Sequence, residues 1–219
     1  MESDVQKLWD DLYNYASELP NQSHPDSPIG DETANRVTKL CGQKPVFEDG
    51  FTARTAEEIG TKYKSLRTDI TEMSGGKAYT FIGPLAALEY SLQKFAINFL
   101  VKEKGFQFLL VPDILNVAIP EACGLMQRSE QGILYKLYDT DNLCLSGTGE
   151  MGVANFLAGK TFEFDQLPLK FVTISKCYRP ETYGGRIQHG LYRVHEFSKV
   201  IWNFWNLRQN FLNWLFYIF

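Results

Sequence analysis

Between residues 176 and 200 the chain reads KCYRPETYGGRIQHGLYRVHEFSKV, and this stretch limits the possible folds more than any other. Residues 169–175 (LKFVTIS) are β-branched and aromatic, Gly184 and Gly185 supply a turn, and residues 191–197 (LYRVHEF) resume an extended pattern. A hairpin is predicted. In its second strand, alternation places Leu191, Arg193, His195 and Phe197 on one face, with Tyr192, Val194 and Glu196 on the other. At roughly 3.3 Å per residue, a guanidinium and an aromatic ring then stand about 13 Å apart on one face. Arg179 ends the opposite strand, so a ligand along the hairpin would meet two planar cations and a stacking surface. Guanidinium pairs bidentately with phosphate and an aromatic face holds a base, which suits a nucleotide. The same pattern also fits a half-buried sheet with satisfied polar ends.

Charge is distributed to match. The net formal charge of −4 over 219 residues argues against a protein held to nucleic acid by bulk charge. Residues 1–60 carry 12 acidic and 5 basic side chains, whereas residues 160–200 carry Lys160, Lys170, Lys176, Arg179, Arg186, Arg193 and Lys199 against four carboxylates. The positive field gathers at the proposed nucleotide face. Four scattered cysteines without a CxxC pair, and three histidines, suggest neither a zinc site nor a disulfide framework. The acidic N-terminus, MESDVQKLWDDLYN, reads as neither a transit peptide nor a secretory signal.

Along the chain, apolar Val5, Leu8, Leu12 and Ala16 at helical spacing predict a short surface helix over residues 4–18. Residues 20–49, rich in Pro, Asn, Ser, Asp and Gly, form a connector, in which His24 is a surface residue. A helix is expected over residues 57–66, then a glycine turn into a strand at residues 75–81. Gly83 and Pro84 open a helix whose stripe of Leu85, Leu88, Leu92, Phe95 and Phe99 runs to Lys104 and Gly105. FQFLLV (106–111) follows as a buried strand, with further strands at residues 133–137 and 143–146. The segment GTGEMG (147–152) formally satisfies GxGxxG, but it lacks a βαβ setting, and Lys170 stands where an acidic ribose ligand would be needed.

The string Cys177, Tyr178, Arg179, Pro180, Glu181, followed by GLYRVHEFSKV (190–200), resembles motif 2 of the seryl-tRNA synthetases, class II enzymes, of the animal mitochondrial type. Thr148, Gly149 and Glu150 resemble that family's TxE loop, with glycine for its central alanine. The helix–turn–strand at residues 84–111 resembles class II motif 1, and the likeness reaches back to about Leu12. The fold implied is α+β, an antiparallel class II sheet flanked by helices and incomplete at the C-terminus. Residues 1–19 would be a remnant of the helical tRNA-binding arm, residues 20–74 a linker and entry segment, and residues 75–200 a partial catalytic core. Residues 201–219, with 13 hydrophobic residues and three of the four tryptophans, would be an aberrant tail that makes a poor membrane span.

The resemblance implies a serine–tRNA ligase that uses ATP and Mg2+ to form seryl-adenylate, then charges tRNA(Ser). Arg179 would hold the α-phosphate and touch serine, with Glu181 at the adenine side. Arg193 would meet the phosphate chain and Phe197 would stack on adenine. Thr148 and Glu150 would take the serine ammonium. A homodimer through the motif 1 region and a place in the mitochondrial matrix follow, with the cytoplasm as alternative. No membrane is implied. Pro180 restricts the backbone beside Arg179, His189 stands for the usual arginine, and Ile201 replaces a glutamate that reads the serine hydroxyl. With motif 3 absent, a fragment of little activity is expected. The competing reading is a non-catalytic synthetase-like paralogue serving as an interaction subunit.

Overall fold

The computed structural model describes residues 2–19, 22–68, 74–125, 133–140, 142–181 and 190–205. Gly184, Gly185, Arg186, His189 and the tail beyond residue 205 lie outside them. The chain divides into two units, Met1–Phe51 and Thr52–Phe219. In the first, helix α1 (Glu2–Glu18) carries the expected stripe, and Val5, Leu8 and Leu12 are all exposed. A single 3-10 turn at Glu32–Ala34 is capped by Asp31, whose carboxylate accepts from the Thr33 amide and hydroxyl.

The second unit begins with α2 (Ala56–Lys62), set by a capping box in which Thr55 and Glu58 satisfy each other's backbone N–H groups. Strands β1 (Leu66–Arg67) and β2 (Thr80–Phe81) pair antiparallel. Helix α3 (Pro84–Lys104) has proline in its first turn and stops at Gly105, which adopts φ 69° and ψ 32°. That left-handed turn lets the Leu100 carbonyl accept from Gly105 and Phe106, reversing the chain at once. Strand β3 (Gln107–Leu109) then runs parallel to β6 (Leu169–Tyr178), and β6 pairs antiparallel with β7 (Glu196–Trp205) over ten residues. Strands β4 (Ile114–Asn116) and β5 (Leu143–Leu145) form a smaller antiparallel pair, with α4 (Ala118–Ala122) between them in sequence. Helix α5 (Gly149–Leu157) follows β5.

Two packed layers sandwich the β6–β7 ribbon. Alternation sends Val172, Ile174, Val200 and Trp202 towards α3, where they meet Ala96, Ile97, Leu100 and Phe106. Phe171 on the opposite side packs with Val153 and Leu157 of α5. Glycines allow α5 to sit close: a Cβ at Gly152 would come within 2.5 Å of Val111.

Several expectations change. Residues 190–195 are not strand: a 3-10 turn spans Gly190–Tyr192 and pairing starts only at Glu196, so the four-residue face from Leu191 to Phe197 does not exist as drawn. Long-range bonds hold this stretch instead, with the Leu191 amide donating to the Glu57 carboxylate (2.7 Å) and the His195 amide to the Lys77 carbonyl (3.2 Å). FQFLLV is not buried throughout, since Phe108 is 42% and Leu110 72% exposed while β3 has one strand neighbour among the described residues. The α3 stripe also points differently. Ala96, Ile97 and Leu100 face the sheet, and Leu88, Phe95 and Phe99 are exposed. At the other end, the ribbon passes the expected limit at Val200 and stays paired to Trp205, opposite Leu169. Ile201 and Asn203 are buried there.

Candidate active site

The α5-facing side of the ribbon carries polar groups. Thr173, Ser175 and Cys177 on β6 stand opposite Ile201, Lys199 and Phe197 on β7, in that order. All but Phe197 are buried. Burial pushes the Cys177 thiol up, with the Ser175 hydroxyl and the charges of Lys199 and Arg179 working against it. A Cβ on Gly149 would meet the Ser175 Oγ at 2.7 Å, the Thr173 Cγ2 at 3.1 Å and the Ile201 Cδ1 at 3.2 Å. Glycine at the centre of the TxE-like triplet is thus a packing requirement: Ile201 fills the space beside it.

The triplet is fixed from behind. The Ser146 hydroxyl donates to the Thr148 carbonyl (2.7 Å), and its own backbone is bonded to Asp113 and Tyr178. Thr148 occupies the N-cap of α5 without capping it; its hydroxyl donates to Glu150 and accepts from Lys199 instead. Lys199 reaches the same pair, with Nζ 2.8 Å from the Thr148 hydroxyl and 3.5 Å from Glu150 Oε1. Burial pulls the Lys199 ammonium below its ordinary range, and the Glu150 carboxylate opposes that shift.

At the open end of the ribbon, the Arg179 guanidinium lies 5.1 Å from the centre of the Phe197 ring. A cation over an aromatic face at this distance is attractive. The Arg179 amide donates to the His195 carbonyl (2.9 Å), and the His195 Nδ1 lies 3.0 Å from the Arg179 carbonyl and 2.7 Å from the Tyr135 hydroxyl. Arg193 pairs with Glu181 at 2.8 Å. Glu181 adopts φ 46°, a left-handed conformation that a non-glycine residue takes only when held, and Lys77 donates to its carbonyl.

The six candidate residues therefore form three pairs: Thr148 with Glu150, Arg179 with Phe197, and Arg193 with Glu181. Lys199 was missed by the motif reading, yet its position two residues after Phe197 puts it on the same strand face. Glu57, Lys77 and Tyr135 were missed as well. Their contacts span the chain, and no local pattern marks them. Among the described residues no group of three or more His, Cys, Asp or Glu is placed to hold a metal. A separate groove of about 590 Å³ lies on the other side of the ribbon, between Phe95, Phe99 and Phe106 of the α3 layer and Trp202 and Phe204.

Comparison with known proteins bears on this arrangement. Residues 135–203 match the tRNA synthetase class II core domain (G, H, P, S and T). Mitochondrial serine–tRNA ligases of Mus musculus and Bos taurus are 39% and 37% identical over 197 residues, which is 89% of this chain and 38% of each of theirs. Among solved structures, a seryl-tRNA synthetase of Pyrococcus horikoshii complexed with ATP superposes with a TM-score of 0.82 at 25% identity, over 93% of this chain and 49% of that one. The cytoplasmic serine–tRNA ligase of Naegleria fowleri in complex with AMP gives 0.79 over 93% and 48%. The chain spans half or less of the length of these relatives.

Proposed function

We propose that this chain carries part of a class II tRNA synthetase core of the seryl type, and that the whole protein activates serine with ATP and transfers it to tRNA(Ser); the match over residues 135–203 and the likeness to serine–tRNA ligases support this reading. The observation that carries the reading is the shared face of the ribbon. A guanidinium lies over an aromatic ring at its open end, and farther along Lys199 reaches the hydroxyl–carboxylate pair at the start of α5.

In the first step a serine carboxylate oxygen attacks the α-phosphorus of ATP, forming seryl-adenylate and expelling pyrophosphate. In the second, a hydroxyl of the terminal adenosine of tRNA attacks the seryl carbonyl and AMP leaves. Such chemistry needs alignment and charge neutralisation more than proton transfer. Arg179 is suited to hold the serine carboxylate against the α-phosphate, and its contact with Phe197 sets the guanidinium beside the ring on which adenine would stack. Stacking of this kind is worth about 1–3 kcal/mol. Glu181 lies at the adenine side. Arg193 can serve the phosphate chain only after leaving Glu181, whose carboxylate is 13% exposed against 49% for the arginine. Thr148 and Glu150 take the serine ammonium. Magnesium would ride on the phosphates, since the described residues offer it no seat of their own.

The exposed Leu88, Phe95 and Phe99 of α3 are suited to an isologous homodimer, and helix α1 to a remnant of a tRNA-gripping arm. Likeness to mitochondrial ligases supports the mitochondrial matrix as the place of action.

Serine-dependent ATP–pyrophosphate exchange by the full-length protein tests this. Exchange that is lost on Arg179→Ala is expected, and ATP binding indifferent to Arg179→Ala would point to an unrelated nucleotide site. One observation favours the paralogue reading: Ile201 is almost completely buried where the family has a glutamate for the serine hydroxyl. Under that reading no exchange occurs at any serine concentration.

A further inference from the structure

Among the described residues, Lys199 is the buried cation, and the reaction scheme leaves it without a task. Its side chain is 3% exposed, against 16% for Glu150. The Lys199 ammonium donates to the Thr148 hydroxyl, which in turn donates to the Glu150 carboxylate, so the proton donors run in one direction from strand β7 to the first turn of α5. Thr148 has a single proton, and this arrangement commits it to Glu150. With one lone pair taken by the lysine, one hydroxyl lone pair remains beside the carboxylate.

The geometry points to Lys199 as a positioning residue for amino-acid binding, holding Thr148 and Glu150 from the floor of the site so that both present acceptors to an incoming ammonium. The assignment rests on Thr148 and Glu150 being the ammonium handle. Two features of the surroundings support it. Gly149, between the two handle residues, is pressed against Ser175, Thr173 and Ile201, so the backbone of the triplet has little room to adjust. Thr148 also makes no cap bond to α5, which leaves its rotamer to be set by Glu150 and Lys199. Without the lysine, the hydroxyl is free to turn and the half-buried carboxylate loses its nearest cation. The site then offers the ammonium a poorly oriented pair.

A double-mutant cycle on the full-length protein tests the idea through ATP–pyrophosphate exchange. Lys199→Met is expected to raise the KM for serine about tenfold or more, while the KM for ATP stays within about twofold and kcat changes less than the serine KM. In a Glu150→Gln background the same substitution should add nothing. An unchanged or lowered serine KM overturns the assignment, as does a parallel rise in both KM values or full multiplication of the two single effects. If the wild-type protein shows no serine-dependent exchange, the proposed function fails. Urea unfolding of the same four proteins then decides the role of Lys199: non-additive midpoints keep it as the partner of Glu150, and additive ones remove it.

Discussion

The two sides of the β6–β7 ribbon are made from alternate residues of the same two strands, yet they do different work. Towards α3 lie Val172, Ile174, Val200 and Trp202, an apolar surface packed against Phe106 and Ala96. Towards α5 lie Thr173, Ser175, Lys199 and Asn203, all buried polar groups, beneath a helix that begins with glycine. Burying hydrocarbon stabilises at about 25 cal/mol per Å2, whereas each buried polar atom costs unless it is bonded. Thr173 Oγ1 and Asn203 Nδ2 have no hydrogen-bond partner among the described residues. The α3 side is therefore dominated by hydrocarbon, whereas the α5 side combines the apolar cluster around Phe171 with the polar groups of the candidate site, and a substitution should reveal which side it touches.

The largest effect is expected on the apolar face. Phe106→Ala removes a buried ring that meets Trp202 edge-on at 5.5 Å, and should lower unfolding free energy by about 3–5 kcal/mol in denaturant melts. Exchange activity per folded molecule should hardly change. Arg179→Ala should do the opposite, cutting serine-dependent exchange about 100-fold or more with a small change in melting, because the guanidinium serves charge in the transition state. Equal losses of stability and activity in both variants would erase the distinction between faces.

Gly149→Val probes the seam between the two functions. Its Cβ would lie 2.7 Å from the Ser175 hydroxyl and 3.2 Å from Ile201, so overpacking should cost about 1–3 kcal/mol, and a smaller residue at 201 should recover part of it. Ile201→Ala combined with Gly149→Val, compared by thermal melting with each single variant, checks that coupling.

Two smaller effects concern pH. Burial lowers the Lys199 pKa in the folded state, so between that value and the ordinary 10.5 the unfolded chain binds more protons. Stability should rise with pH across this window from the Lys199 contribution, and Lys199→Met should remove the rise. Glu57 behaves in reverse. Its bond from the Leu191 amide lowers its pKa below 4.5, so the stabilisation is present above 4.5 and fades as pH falls through the folded value. Glu57→Gln should flatten that acid limb, with less than about 0.5 kcal/mol change at neutral pH.

How much of this the residues announce depends on the range of the interactions. Pro84 and Gly105 bound α3 to the residue, and residues 169–175 lie within β6, because both signals are local. The alternation that aligns residue 177 with Phe197 also brings Arg179, one residue beyond β6, within 5.1 Å of the Phe197 ring. Residues 190–195 were misread for the opposite reason. Leu191 and His195 give their amides to Glu57 and Lys77, more than a hundred residues away, and those bonds replace the strand ladder that the alternation suggests. The α3 stripe shows a related limit. Leu88, Phe95 and Phe99 have helical spacing, but periodicity does not say which of two apolar faces meets the sheet. Composition likewise marked residues 201–205 as foreign, although Ile201 and Asn203 are buried in the same ladder as the motif before them.

One consequence follows from the position of β7. Among the described residues this ten-residue strand has β6 as its one strand neighbour, and it carries Ile201, Trp202, Phe204 and Trp205 near its end. A strand at the edge of a sheet can pair its free backbone groups with further chain. Hydrogen exchange of the β7 amides that point away from β6, measured at two protein concentrations, would show whether that edge takes up a further strand.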